Sequence, residues 1–176
     1  MKILGIDPGY AIVGYGAISA SPNNKFLPLC YGSILTESTA PFCDRLFKIS
    51  CDMNELLLKV RPDVVAIERL YFQNNRKTAI DVAQARGVIL LSARNLNVPI
   101  FEYTPLQIKT VVTGYGKAQK AQVMKMTKRL LSLEKMPKLD DTADALAVAI
   151  CHAQACGTGL RASMLKRSYT YNVLQP

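Results

Sequence analysis

The chain has 176 residues, 49% of them hydrophobic, which is enough for one domain with a full core and too few for two ordinary ones. Its 22 Lys and Arg against 13 Asp and Glu leave a net charge of +9 at pH 7, so a polyanion is the natural partner: bases that neutralise phosphates release counterions. Five irregularly spaced cysteines with no C-x-x-C pair, and one histidine, argue against a disulfide scaffold and a zinc site, and no apolar run is long enough to span a bilayer.

The first residues, Lys2-Ile3-Leu4-Gly5-Ile6-Asp7-Pro8-Gly9, read as a buried strand that stops at an acid, where Pro and Gly turn the chain away. Two more β-rich runs follow, Ala11 to Ile18 and Phe26 to Thr36, joined by the polar turn Ser21-Pro22-Asn23-Asn24. Short connections make these three strands an antiparallel meander. From Pro41 the period changes: Phe42, Leu46, Ile49, Met53, Leu56 and Val60 recur at steps of three and four, one face of an amphipathic helix that Arg61-Pro62 ends. Asp63 to Glu68 is a fourth strand, again finishing in an acid.

Composition predicts a helix from about Asn75 to Leu96, with Ile80, Ala83, Gly87 and Leu91 at helical spacing and Gly87 open to close approach by another element. Val98 to Tyr103 is the fifth strand. Thr104-Pro105-Leu106-Gln107 then supplies an N-cap, Pro at the first helical position and Gln at the third, starting a short helix that ends near Gly114. The loop Gly114-Tyr115-Gly116-Lys117 leads into a basic helix reaching about Leu131, and a last helix runs from near Asp140 to Gly157, apolar nearly all round after its first turn. The expected class is α/β: a mixed sheet of five strands, three antiparallel and two returning through helices, flanked by helices. Residues 1–156 form the single expected domain and 157–176 a basic, irregular tail.

The acids carry the chemistry. Asp7 and Glu68 end two strands that can be neighbours, and the last helix offers Asp140, Asp141 and Asp144, of which Asp144 pairs by spacing with either of the others. Asp144 precedes Ala145-Leu146-Ala147 on a helix that reads as buried, where an unpaired carboxylate is costly and a metal would relieve the cost. Phosphodiester hydrolysis by two divalent ions calls for such oxygen ligands, and Mg²⁺ suits them. From Tyr103 to Leu133 there are six bases (Lys109, Lys117, Lys120, Lys125, Lys128 and Arg129) and no acid, a one-sign stretch fitted to phosphate. His152 reads as a packing residue, so no Ser-His-Asp or Cys-His set competes.

Five segments in order resemble the RuvC family of Holliday junction resolvases, within the ribonuclease H superfamily: Gly5-Ile6-Asp7-Pro8-Gly9, Ala66-Ile67-Glu68, Gln84-Ala85-Arg86-Gly87, Gly114-Tyr115-Gly116-Lys117-Ala118-Gln119-Lys120 and Asp141-Thr142-Ala143-Asp144-Ala145-Leu146-Ala147. The resemblance covers about residues 1 to 156 and implies a ribonuclease H-like fold. It implies that Asp7, Glu68, Asp141 and Asp144 bind two Mg²⁺ ions, with Mn²⁺ able to substitute, and leaves Asp140 as an extra acid that caps the helix. It also assigns Lys109 and Lys120 to phosphates near the scissile bond; Lys117 lies beside that pattern. Tyr71, where the family has Phe, is implied to stack on an unpaired base, with Phe72 beside it. A two-fold homodimer through the helix of Arg86 and Gly87, and RuvA and RuvB as partners, are further implications.

The implied function is a metal-dependent endonuclease of the cytoplasm that nicks four-way DNA junctions symmetrically in recombination and repair. A junction-binding protein without catalysis and a ribonuclease H acting on hybrids are the alternatives. An actin-like ATPase would need a second subdomain for which 176 residues leave no room. Deleting residues 160–176 should lower junction affinity while cleavage persists at saturating protein; titration of the truncated chain against a labelled junction checks this.

Overall fold

In the computed structural model, which describes residues 1–21, 23, 25–70 and 76–157, the chain folds as β1 (Lys2–Asp7), β2 (Ile12–Ala20), β3 (Phe26–Leu35), α1 (Phe42–Val60), β4 (Val64–Glu68), α2 (Arg76–Asn95), β5 (Ile100–Tyr103), α3 (Pro105–Thr113), α4 (Lys120–Leu130) and α5 (Asp140–Gly157). The sheet order is β3-β2-β1-β4-β5, with β1, β2 and β3 antiparallel and β4 and β5 added in parallel. This is the expected arrangement. Between Ala17 and Ile18 the β2–β3 register shifts: Ala17 faces Cys30 and Ile18 faces Pro28, which leaves Leu29 as an extra residue on β3.

Each face of the sheet has its own core. On one, α1 and α2 bring Ile49, Met53, Leu57 and Ile89 against Leu4, Ile6 and Ile67; on the other, α3, α4 and α5 bring Val112, Val123, Leu146 and Ile150 against Ile3, Ile18 and Ala66. The ends of α1 and α3 follow from local chemistry. Arg61, at φ 48°, closes α1 with its N–H on the Leu57 carbonyl, and Pro62 prevents continuation. The Thr104 hydroxyl accepts from the Gln107 N–H while the Gln107 side chain accepts from the Thr104 N–H, and Gly114, at φ 80°, ends α3.

The helix α5 lies directly on the sheet because the strands beneath it carry glycine. A Cβ on Gly5 would collide with the Ala145 carbonyl, one on Gly14 with the Asp141 carbonyl, and one on Gly16 with the Leu146 side chain. Gly5 and Gly16 face each other across β1 and β2, and Gly14 faces Asp7. The apolar surface of α5 is therefore wholly covered, from Ala145 to Cys151.

Helix α2 differs from the reading of its spacing. Ile80 and Leu91 are exposed and, among the described residues, no atom comes near a Cβ built on Gly87, so that stripe faces away from the sheet. Ala85, Ile89 and Ala93 make the core face instead. The helix carries two apolar stripes on opposite sides, and spacing alone does not say which one the sheet covers. Arg86 turns inward and pairs with Glu102 of β5.

Replacing Gly5 by Ala should cost about 1 to 3 kcal/mol, since a methyl group is forced between two backbones that cannot separate without lifting α5 off β1. Urea unfolding of the Gly5→Ala variant measures this.

Candidate active site

Parallel pairing of β1 and β4 puts Ile6 beside Ile67, so the next residues along, Asp7 and Glu68, leave the sheet side by side at one edge. Both face α5, because Ile3 and Ala66, an even number of residues back, pack in its core. The backbone of Asp141 rests over Gly14, the partner of Asp7, and Asp144 follows three residues later on the same helix. Lys120, the first residue of α4, reaches across with Nζ 3.0 Å from Asp144 Oδ2 and 3.3 Å from Asp140 Oδ2. Asp140 opens α5 and is also an ion-pair partner of Lys120. Glu68, Asp144, Lys120 and Lys109 of α3 line one cavity of about 240 Å³, floored by Ile108 and Val123.

Electrostatics tie these groups together. Burial, then the charges of Glu68, Asp144 and Asp141, push the Asp7 carboxyl up to about 8. Burial and Asp144 push Glu68 up to about 7 against the opposing pull of Lys109 and Lys120. Burial also raises Asp144, with Lys120 working the other way. For Lys120 burial favours the neutral amine, but its hydrogen bonds and charge pairing with Asp144 and Asp140 outweigh it and hold the ammonium above its ordinary range. Among the described residues no three acid, histidine or cysteine side chains close on one metal-sized point. The Lys120 ammonium rests on one of the four carboxylates, that of Asp144. The donor set is nevertheless that of a hard divalent cation: four carboxylates with no thiolate or imidazole.

Lys117 is exposed on the connection before α4. Tyr71 and Phe72 lie outside the described residues, as does the tail from residue 158. His152 is the packing residue that was expected: its ring lies 4.7 Å from that of Phe101, Nδ1 is 2.7 Å from the Tyr103 hydroxyl, and Nε2 is 3.4 Å from Cys156 Sγ. None of the five cysteines is in a disulfide.

The family model described as crossover junction endodeoxyribonuclease RuvC matches residues 3–152. The chain belongs to the RuvC family. A RuvC of Alkaliphilus oremlandii is 56% identical over 153 residues, covering 87% of this chain and 93% of that one, and a RuvC of Halothermothrix orenii is 52% identical over 155 residues, covering 88% and 93%. Thermus thermophilus RuvC, solved in complex with a Holliday junction substrate, superposes with a TM-score of 0.86 at 33% identity, over 90% of this chain and 96% of that one. The RuvC-type sheet with its helices is a ribonuclease H-like fold, and nucleases of the RuvC family are metal-dependent.

Because Asp7 and Glu68 ionise near 8 and 7 in the fold but near 3.8 and 4.5 as free groups, the folded chain holds protons that the unfolded chain has lost. Stability without metal should therefore fall as pH rises from about 4 to about 8. In EDTA the melting temperature is expected to decline across that range, and Mg²⁺ should raise it more at pH 8 than at pH 5; Asp7→Asn should flatten the slope. Calorimetric scans at a series of pH values test this.

Proposed function

We propose that this chain is a Holliday junction resolvase whose Asp7, Glu68, Asp141 and Asp144 hold two Mg²⁺ ions, with Lys120 and Lys109 on the scissile phosphate. The observation that carries the reading is the cavity in which Glu68, Asp144, Lys120 and Lys109 meet beside Asp7. When bound, the ions would activate water and offset charge on the leaving oxygen; Mn²⁺, also a hard divalent cation, should substitute.

The side chains have separate tasks. The four carboxylates, carried by β1, β4 and α5, would hold the cations in their ionised form, without the protons that burial leaves on Asp7 and Glu68. Lys120 then has a phosphate oxygen as partner in place of Asp144, and its ammonium offsets charge that grows as the bond breaks. Lys109, on α3 across the same cavity, adds a second fixed charge. Lys117, Tyr71 and Phe72 are read as DNA contacts, Tyr71 by stacking on an exposed base.

A homodimer fits the outward apolar stripe of α2, where Ile80 and Leu91 flank Gly87 and a second backbone could approach closely. Two sites related by two-fold symmetry would make paired nicks in a junction of the same symmetry. RuvA and RuvB as partners, the cytoplasm as location, and residues 1–156 as the nuclease domain with 157–176 as an appended tail belong to this reading. Among the described residues no helix is long and apolar enough to cross a membrane.

The deciding experiment compares a labelled mobile four-way junction with a linear duplex and an RNA–DNA hybrid, in Mg²⁺ and in EDTA. Metal-dependent paired nicks on the junction alone are expected. Asp7→Asn should bind the junction but cut it more than about 100-fold slower, and Lys120→Ala should lose about 100- to 1000-fold. Binding without cutting by the unaltered chain would sink the reading.

A further inference from the structure

The first turn of α5 carries Asp140 and Asp141, and Asp144 begins the second. A first turn is where a helix holds on least firmly, since its N–H groups have no partner within the helix. Here Asp141 in that turn repels Asp7, and Asp144 just beyond it repels both Asp7 and Glu68. Glycines beneath it set how near α5 comes to the sheet and the core grips the helix from Ala145 onward, but neither contact gives the first turn a directional bond.

What fixes it is Thr142, between the two acids. Its side chain is 3% exposed. Its hydroxyl donates to the Gly32 carbonyl at 3.0 Å and lies 2.7 Å from the Ser33 hydroxyl. A hydroxyl has one hydrogen: with the Thr142 proton on Gly32, Ser33 is the donor of the second bond. The pair joins the acid-bearing turn to β3, on the far side of β2 from Asp7, so a roll of α5 that would carry Asp141 away from Asp7 must break two part-buried hydrogen bonds.

We infer that Thr142 and Ser33 are positioning residues that set the rotation of α5, and thereby hold Asp141 and Asp144 in the arrangement that takes up divalent metal. The inference rests on the four-carboxylate reading above. It differs from simple stabilisation in what it moves: a latch that only added stability would leave the metal affinity of fully folded protein unchanged.

The test is Mn²⁺ binding to the DNA-free chain, by calorimetry and electron paramagnetic resonance, at a temperature where melting curves show each variant fully folded. Thr142→Val keeps the shape and loses both bonds; Ser33→Ala removes one bond without altering the helix, and serves if Thr142→Val does not fold. Expected is Mn²⁺ affinity weaker by about three- to tenfold in either variant, up to the smallest effect typical of residues that directly support a metal ligand, since these two act through the helix. Thr142→Ser, which keeps the hydroxyl, should bind like the unaltered chain. In junction cleavage the metal requirement should rise by the same factor while the rate at saturating metal is kept. Unchanged Mn²⁺ affinity in a folded Ser33→Ala or Thr142→Val variant overturns the inference. Failure of the unaltered chain to bind Mn²⁺ at all overturns the four-carboxylate reading as well, so the two failures can be told apart.

Discussion

Everything at this site depends on how closely α5 approaches the sheet. A helix usually rests on a sheet through a layer of side chains, but here Gly5, Gly14 and Gly16 remove that layer and let backbone meet side chain or backbone. The consequence reaches past packing. Short acids on a helix held a side chain higher would fall short of acids leaving the strand ends, and Asp141 and Asp144 could not share a field with Asp7 and Glu68. The glycines in the strands and the acids on the helix are two parts of one requirement.

That proximity creates a second constraint. Carboxylates gathered in a partly dry place resist ionisation together, which is why Asp7 stays protonated up to about 8. The fold bears this load with two stiff strands, a helix buried from Ala145 onward, and a lysine that sits between Asp140 and Asp144. On the proposed reading, the clustering that costs stability without a cation is also what would make a cation bind, relieving a tension that sheet and helix already impose.

Much of this could be read from residues alone, and the reasons are local. Asp7 and Glu68 each end a short apolar run, and a strand that stops at an acid leaves little doubt about where the acid goes. The capping residues around α3 and the Arg61-Pro62 stop after α1 are short-range chemistry and came through unchanged. What stayed hidden was long-range. Nothing near Ile80 or Leu91 reveals which side of α2 the sheet covers, because both sides are apolar. The link from Thr142 to Ser33 spans 109 residues, and the pairing of Asp140 with Lys120 depends on how α4 and α5 meet. The one hint was the pair of hydroxyl residues themselves: a Thr between two acids at the start of a helix that is otherwise mostly apolar.

The irregularity in β3 has a consequence of its own. As the outermost strand of the sheet it exposes Leu27, Leu29 and Tyr31, an invitation to another chain to add a strand there. Leu29 interrupts the spacing of the backbone groups midway, and Pro28 beside it has no N–H to offer. A stranger's strand could begin a ladder at either end of β3 but not carry it across. That edge is thereby guarded against strand addition by other copies of the chain.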